Sequence, residues 1–148
     1  VKRLILIAAL YISSSAFAAL GDHENVVNSD AIKLKSSRHS VVQTNSLYSV
    51  HELETPIAKI QEFVDNSGQV FAVSWRGIRR PDLSVLLGSF YGEYNNIDSR
   101  RARMITRAPV SIQTSRIVVR KGGHMRDIKG MAVISDQLPA GVRLEDLQ

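Results

Sequence analysis

Four histidines, His23, His39, His51 and His124, are the side chains best suited to move a proton or hold a metal near neutral pH. None has a second ligand-type residue at i+2 or i+4 on an expected element, and the chain has no cysteine, so the spacing of a zinc site is missing. His51, Glu52 and His124 are the acid/base groups an enzyme could draw on. Adjacent residues on a strand point to opposite faces, so His51 and Glu52 cannot form such a site by themselves and folding would have to assemble it. Gly88-Ser89 falls inside an expected helix and not at the strand-to-helix elbow of a serine hydrolase. Lys121-Gly122-Gly123 lacks the spacing of a phosphate-cradling loop and reads as a hairpin turn. The sequence therefore predicts no catalytic residue, no metal and no cofactor. Its remaining candidate is a basic corner, Arg76, Arg79 and Arg80 beside Trp75, joined by His124 and Arg126, which could bind a polyanion or an acidic glycan. The alternative is a solvated basic face that keeps the protein soluble.

The charge is unevenly spread. Ser74 to Lys129 carries twelve basic and four acidic side chains, a net +8, whereas residues 19–73 sum to −3 and residues 130–148 to −2. The first eighteen residues explain part of the overall +5: Lys2 and Arg3 precede an apolar run from Leu4 to Ile12 and then small residues at Ala16 and Ala18. That is the pattern of a secretory signal peptide, with cleavage expected between Ala18 and Ala19. The apolar run falls short of the roughly 20 residues needed to span a bilayer. The expected mature chain, residues 19–148, is one domain, periplasmic or secreted, with no stable membrane insertion after cleavage. Without cysteine it has no disulfide, so its core must hold it together. Export also makes nucleic acid a poor partner, and leaves an envelope protein or an anionic polysaccharide.

The elements that must position these residues follow from patterning. Val27, Ala31 and Leu34 place one apolar stripe on a short helix within residues 22–37. From residue 38 the texture turns to Val, Thr, Tyr, Phe and Ile, and four strands are expected at 38–44, 47–54, 58–64 and 69–76. The strongest turn signal is Asp65-Asn66-Ser67-Gly68. In the strand after it, alternation places Phe71, Val73 and Trp75 together on the core side. Arg80-Pro81-Asp82 opens a helix with Leu83, Leu86, Leu87, Phe90 and Tyr94 on one face, ended by Asn95-Asn96. Gly88 and Gly92, one turn apart within it, suggest close approach to another backbone. Residues 97–109, with Arg100, Arg101, Arg103 and Arg107, read as a basic loop. Strands at 110–120 and 124–134, joined by Gly122-Gly123, and a tail whose Leu144 and Leu147 dock back complete the chain. The order predicts an α+β fold, an antiparallel sheet of about six strands with helices on one face. A mostly β barrel or sandwich with one helix is the alternative.

Several segments carry a family likeness: Ala19-Leu20-Gly21, Tyr48-Ser49-Val50-His51-Glu52, Gly68 to Trp75, Pro81-Asp82-Leu83 with Leu86-Leu87-Gly88, Gly123-His124-Met125-Arg126 and Leu138-Pro139-Ala140-Gly141-Val142. Across the whole expected mature chain it resembles a family of small exported bacterial proteins classed only as a domain of unknown function. The resemblance implies no activity, ligand or catalytic residue. Arg79-Arg80 departs from the more neutral residues expected before Pro81. What remains is a non-enzymatic binding or assembly module of the cell envelope, with two alternatives: an enzyme assembled around His51 and His124, and a polyanion binder.

Overall fold

The computed structural model of the chain describes residues 20–24, 31–44, 46–101 and 109–147. The leader read over 1–18 and its cleavage site lie outside them, as do Val27, Arg103 and Arg107. Four strands follow the patterning within a residue or so: β1 (Arg38–Thr44), β2 (Tyr48–Glu54), β3 (Ala58–Asp65) and β4 (Val70–Gly77). They form an antiparallel meander. The β3–β4 turn is built as its residues imply, with the Asp65 carboxylate accepting from the backbone of Ser67 and Gln69. The chain then crosses by α1 (Leu83–Leu87), a 3-10 turn (Gly88–Phe90) and α2 (Tyr91–Arg101), and returns through β5 (Val110–Gln113), β6 (Ile117–His124) and β7 (Asp127–Ile134). The sheet order is β1-β2-β3-β4-β7-β6-β5. Among the described residues β1 and β5 stand at the two edges, so the sheet is open, neither a barrel nor a sandwich.

The described residues form seven strands where six were expected. The segment read as one strand over 110–120 is two, because Thr114 turns the chain: its hydroxyl accepts from the backbone N–H of Arg116 and Ile117. Gly122 and Gly123 lie within β6 and are not the turn, which falls at Met125-Arg126. Gly123 is needed for another reason, since it has φ +113° and a Cβ there would stand 2.0 Å from the Asp127 carbonyl oxygen. The helical segment is likewise broken where one helix was expected. Gly88 takes φ +48° and ends α1, and α2 runs past Asn95-Asn96 to Arg101, so Arg100 and Arg101 are helical and not in a loop. No close approach explains Gly92, around which a Cβ would meet nothing within 4 Å. Of the helix expected within 22–37, the described residues show a single turn at 31–33, with Ala31 and Leu34 packed on the core.

Both faces of the sheet bury apolar side chains. On one, Leu53, Ile60, Val73, Trp75, Val119 and Ala132 meet Leu83, Leu86, Leu87, Phe90 and Tyr94 from the helical crossover. Leu20 joins them, its N–H donating to the Leu86 carbonyl. On the other, Tyr48, Val50, Phe63, Phe71, Met131 and Val133 are covered by Val142 and by Leu147 in a terminal 3-10 turn (Leu144–Leu147). The tail therefore docks back as expected, on the face away from the helices. Phe71 is the exception to the expected alternation. Val64 pairs with Val70 and Phe63 with Ala72, so Phe71 is an extra residue in β4 and turns to the tail side, while Val73 and Trp75 keep to the helix side.

Candidate functional site

Register on the tail side of the sheet brings cations into line. Lys59 on β3 pairs with Arg76 on β4, and Arg76 pairs with Lys129 on β7. Directly opposed like charges disfavour the sheet, and here three stand in one row across adjacent strands at about 4.8 Å per step. Carboxylates flank the row. Lys59 Nζ lies 3.0 Å from Glu52, and Arg76 makes a two-pronged bond to Asp127 at 2.7 and 3.0 Å. The Arg76 bond and the nearby Lys129 and His124 charges hold the Asp127 carboxyl below its usual range. Lys129 and Arg120, the latter on the same face of β6, make no ion pair among the described residues. This end of the sheet lies beyond the apolar patch that the tail covers.

A second polar surface lies on the helix side. A cleft of about 330 Å³ is lined by Arg80, Pro81, Asp82, Leu83, Tyr91, Tyr94, Asn95 and Asp98. Behind it Tyr94 donates from its hydroxyl to Asp98 at 2.9 Å, and Lys121 donates to both the Tyr94 oxygen and Asp98. Burial works to raise the Asp98 carboxyl, but the bonds from Lys121 and Tyr94 and the Lys121 and Arg80 charges outweigh it and hold the group below its ordinary value. Burial together with Asp98 pushes the Tyr94 phenol upward. Asp98 is thus a fixed anion at neutral pH and Tyr94 a fixed hydroxyl.

A third cluster lies near β1, centred on buried His51 with exposed His39 and Glu24 at its rim. His51 faces Glu62 across the β2–β3 ladder, and both are almost fully buried. His51 Nδ1 lies 3.2 Å from His39 Nε2, and its Nε2 lies 3.3 Å from Glu24. Desolvation lowers the His51 pKa, opposed by Glu24 and reinforced by His39. The native state then favours neutral His51 and takes up its proton less readily than the unfolded chain does. The resulting stability is complete above the unfolded histidine value of about 6.5 and is lost as pH falls through the depressed native value. Urea unfolding should show the wild type losing more stability between pH 7.5 and 5.5 than His51→Gln. Parallel losses in the two proteins would remove His51 as the cause.

The sequence candidates separate across these places. Trp75 is buried against Gly130, where a Cβ would stand 2.3 Å from the indole ring, so it is a core residue. Arg76 leaves β4 on the opposite face, while Arg80 turns to the helix-side cleft, 3.8 Å from Asp98, and Arg79 is exposed between them. The basic corner is therefore divided: Arg76 is still on β4 and faces the tail side, whereas the strand ends at Gly77 and the chain beyond it carries Arg80 to the helix side. His124 and Arg126 sit at the exposed β6–β7 hairpin, where His124 pairs with Asp127 and so comes near Arg76. His51 and His124 lie on opposite faces, on the second and sixth strands in sheet order, and form no common acid/base site. Glu52 points away from His51, as alternation requires. Sequence reasoning missed Lys59, Lys129, Tyr94, Asp98 and Lys121 as partners. A count along the β3–β4 hairpin could have raised Lys59, but the bulge at Phe71 shifts that count by one; Lys129 comes beside Arg76 through the non-consecutive β4–β7 pairing, which no local count reaches.

These features define an α+β scaffold, an open seven-stranded antiparallel sheet with one helical side and one side partly bare, carrying exposed polar surfaces. Over residues 16–147 the chain matches the family model described as Protein of unknown function (DUF2844), and it belongs to that family. No curated protein and no solved structure matches it. Among the described residues no helix is long and apolar enough to cross a membrane, and no group of three or more His, Asp or Glu side chains could hold a metal ion.

Proposed function

We propose that this chain is a non-enzymatic exported binding module of the bacterial cell envelope, and that it holds an anionic polysaccharide on the bare part of its sheet. The observation that carries the reading is the row Lys59, Arg76 and Lys129, in register across β3, β4 and β7 and pointing to one face. Glu52 and Glu54 beside Lys59 and Asp127 beside Arg76 offset part of the mutual repulsion, Lys129 makes no ion pair among the described residues, and a linear polymer with regularly spaced carboxylates gains from the row. Arg120 on the same face and Arg126 at the adjoining hairpin extend it. Export rests on the leader pattern of residues 1–18.

Binding to heparin and to polygalacturonate, followed as salt is raised, tests the reading. Wild-type protein should bind both at low salt and release them steeply as screening grows. The triple variant Lys59→Ala, Arg76→Ala, Lys129→Ala should bind at least about tenfold more weakly, a loss of about 1.4 kcal/mol. Its unfolding midpoint should barely move, because exposed ion pairs contribute little to stability. Absence of wild-type binding, or binding that survives the triple change, overturns the assignment.

A further inference from the structure

The helix-side cleft has a lining unlike that of the bare sheet. We propose that it is a binding site for a small uncharged saccharide. At about 330 Å³ it lies at the lower end of the range for small-molecule pockets. Its charges balance: Arg80 on its wall and Lys121 just behind face Asp82 and Asp98, so an anion and a cation each meet as much repulsion as attraction. A ligand rich in hydroxyls suits that balance, because each hydroxyl can donate to a carboxylate and accept from a guanidinium or an amide.

The donors and acceptors are placed for it. Asp98 accepts from Tyr94 on one oxygen and from Lys121 on the other, and an ionised carboxylate has about four acceptor sites, which leaves capacity toward the cleft. Arg80 stands 3.8 Å from Asp98, too far for a hydrogen bond, so its N–H groups can turn to a ligand. Asn95 supplies one more donor and one more acceptor. Tyr91, half-buried and tilted 39° to the Tyr94 ring, adds an aromatic surface to the wall for the C–H face of a sugar. The bonds to Asp98 hold it in one position before any ligand arrives, which lowers the ordering cost of binding.

Saturation-transfer NMR with glucose and with N-acetylglucosamine as probes tests this site. Wild-type protein should transfer magnetisation to the ring protons of at least one of the two sugars. Asn95→Ala and Arg80→Ala, both at exposed positions, should each weaken that sugar at least about fivefold without lowering the unfolding midpoint. The Lys59, Arg76, Lys129 triple variant should bind the sugar as wild type does, since those residues lie across the sheet; this separates the fate of the two proposals. No transfer to either sugar, transfer that survives both cleft variants, or binding only of inorganic phosphate or of tetramethylammonium overturns the inference.

Discussion

Trp75→Ala will lower the stability of this protein by about 3–5 kcal/mol, the usual cost of deleting a large buried aromatic. Trp75 is 2 % exposed and sits in the cluster that joins the sheet to Leu83, Leu86, Leu87 and Phe90. Its ring lies across Gly130 on the neighbouring strand, where a Cβ would stand 2.3 Å from it. Removing it opens a cavity at the centre of the β4–β7 pairing, and with no cysteine there is no disulfide to offset the loss. A small domain has roughly 5–15 kcal/mol in total, so the variant should unfold at a much lower urea concentration. The indole N–H has no hydrogen-bond partner among the described residues, so the loss is one of packing and carries no broken polar contact. Trp75 is the single tryptophan, and wild-type fluorescence should be blue-shifted and move red on unfolding. A red native emission with an unchanged midpoint in the variant would place Trp75 at the surface and defeat the packing described above.

Ending the chain after Gln137 should be comparably damaging. The removed segment contributes Val142 and Leu147, both buried, with Leu138 and Leu144 packed beside them. Two buried aliphatic side chains at about 1.5–3 kcal/mol each give an upper figure of roughly 3–6 kcal/mol. The truncation would also uncover Tyr48, Phe63 and Phe71, whose rings meet edge-on or tilted at centroid distances of 5.8 to 6.3 Å. An exposed apolar patch of that kind invites association. The truncated protein should therefore bind the dye ANS, unfold earlier and aggregate, while Leu147→Ala in the full chain should show a milder loss. A truncated protein with the wild-type midpoint and no dye binding would show that the tail is dispensable to the core.

The sequence by itself determined the strands and several of their ends. Val, Thr, Tyr and Phe between Arg38 and Arg76, punctuated by Thr55-Pro56 and Asp65 to Gly68, leave few other ways to lay out that segment. The apolar stripe Leu83, Leu86, Leu87, Phe90 and Tyr94 determined that the crossover would cover a sheet, because those side chains have nowhere else to be buried. Local patterning did less well from residue 95 onward. Asn95-Asn96 are poor helix formers, yet α2 continues through them because Asp98 on its next turn is held by Lys121 of β6. Gly122-Gly123 resemble a turn locally but lie within β6, and Gly123 is needed where that strand approaches the β7 backbone.

The surfaces were decided only by the tertiary structure, through register. Side chains on a strand alternate, so a shift of one residue moves every one of them to the other face. The extra residue at Phe71 makes that shift: it sends Phe71 under the tail and sets Ile60 opposite Trp75 and Lys59 opposite Arg76. Continuing the pairing set at the turn without the bulge would place Lys59 opposite Trp75 and break up the cationic row. Whether a strand carries a bulge depends on how two covering layers, the helices and the tail, are both satisfied at once. Composition and periodicity along one chain segment hold no record of that, and none of where β4 ends at Gly77, after which the chain carries Arg80 to the helix side while Arg76 stays on the tail side.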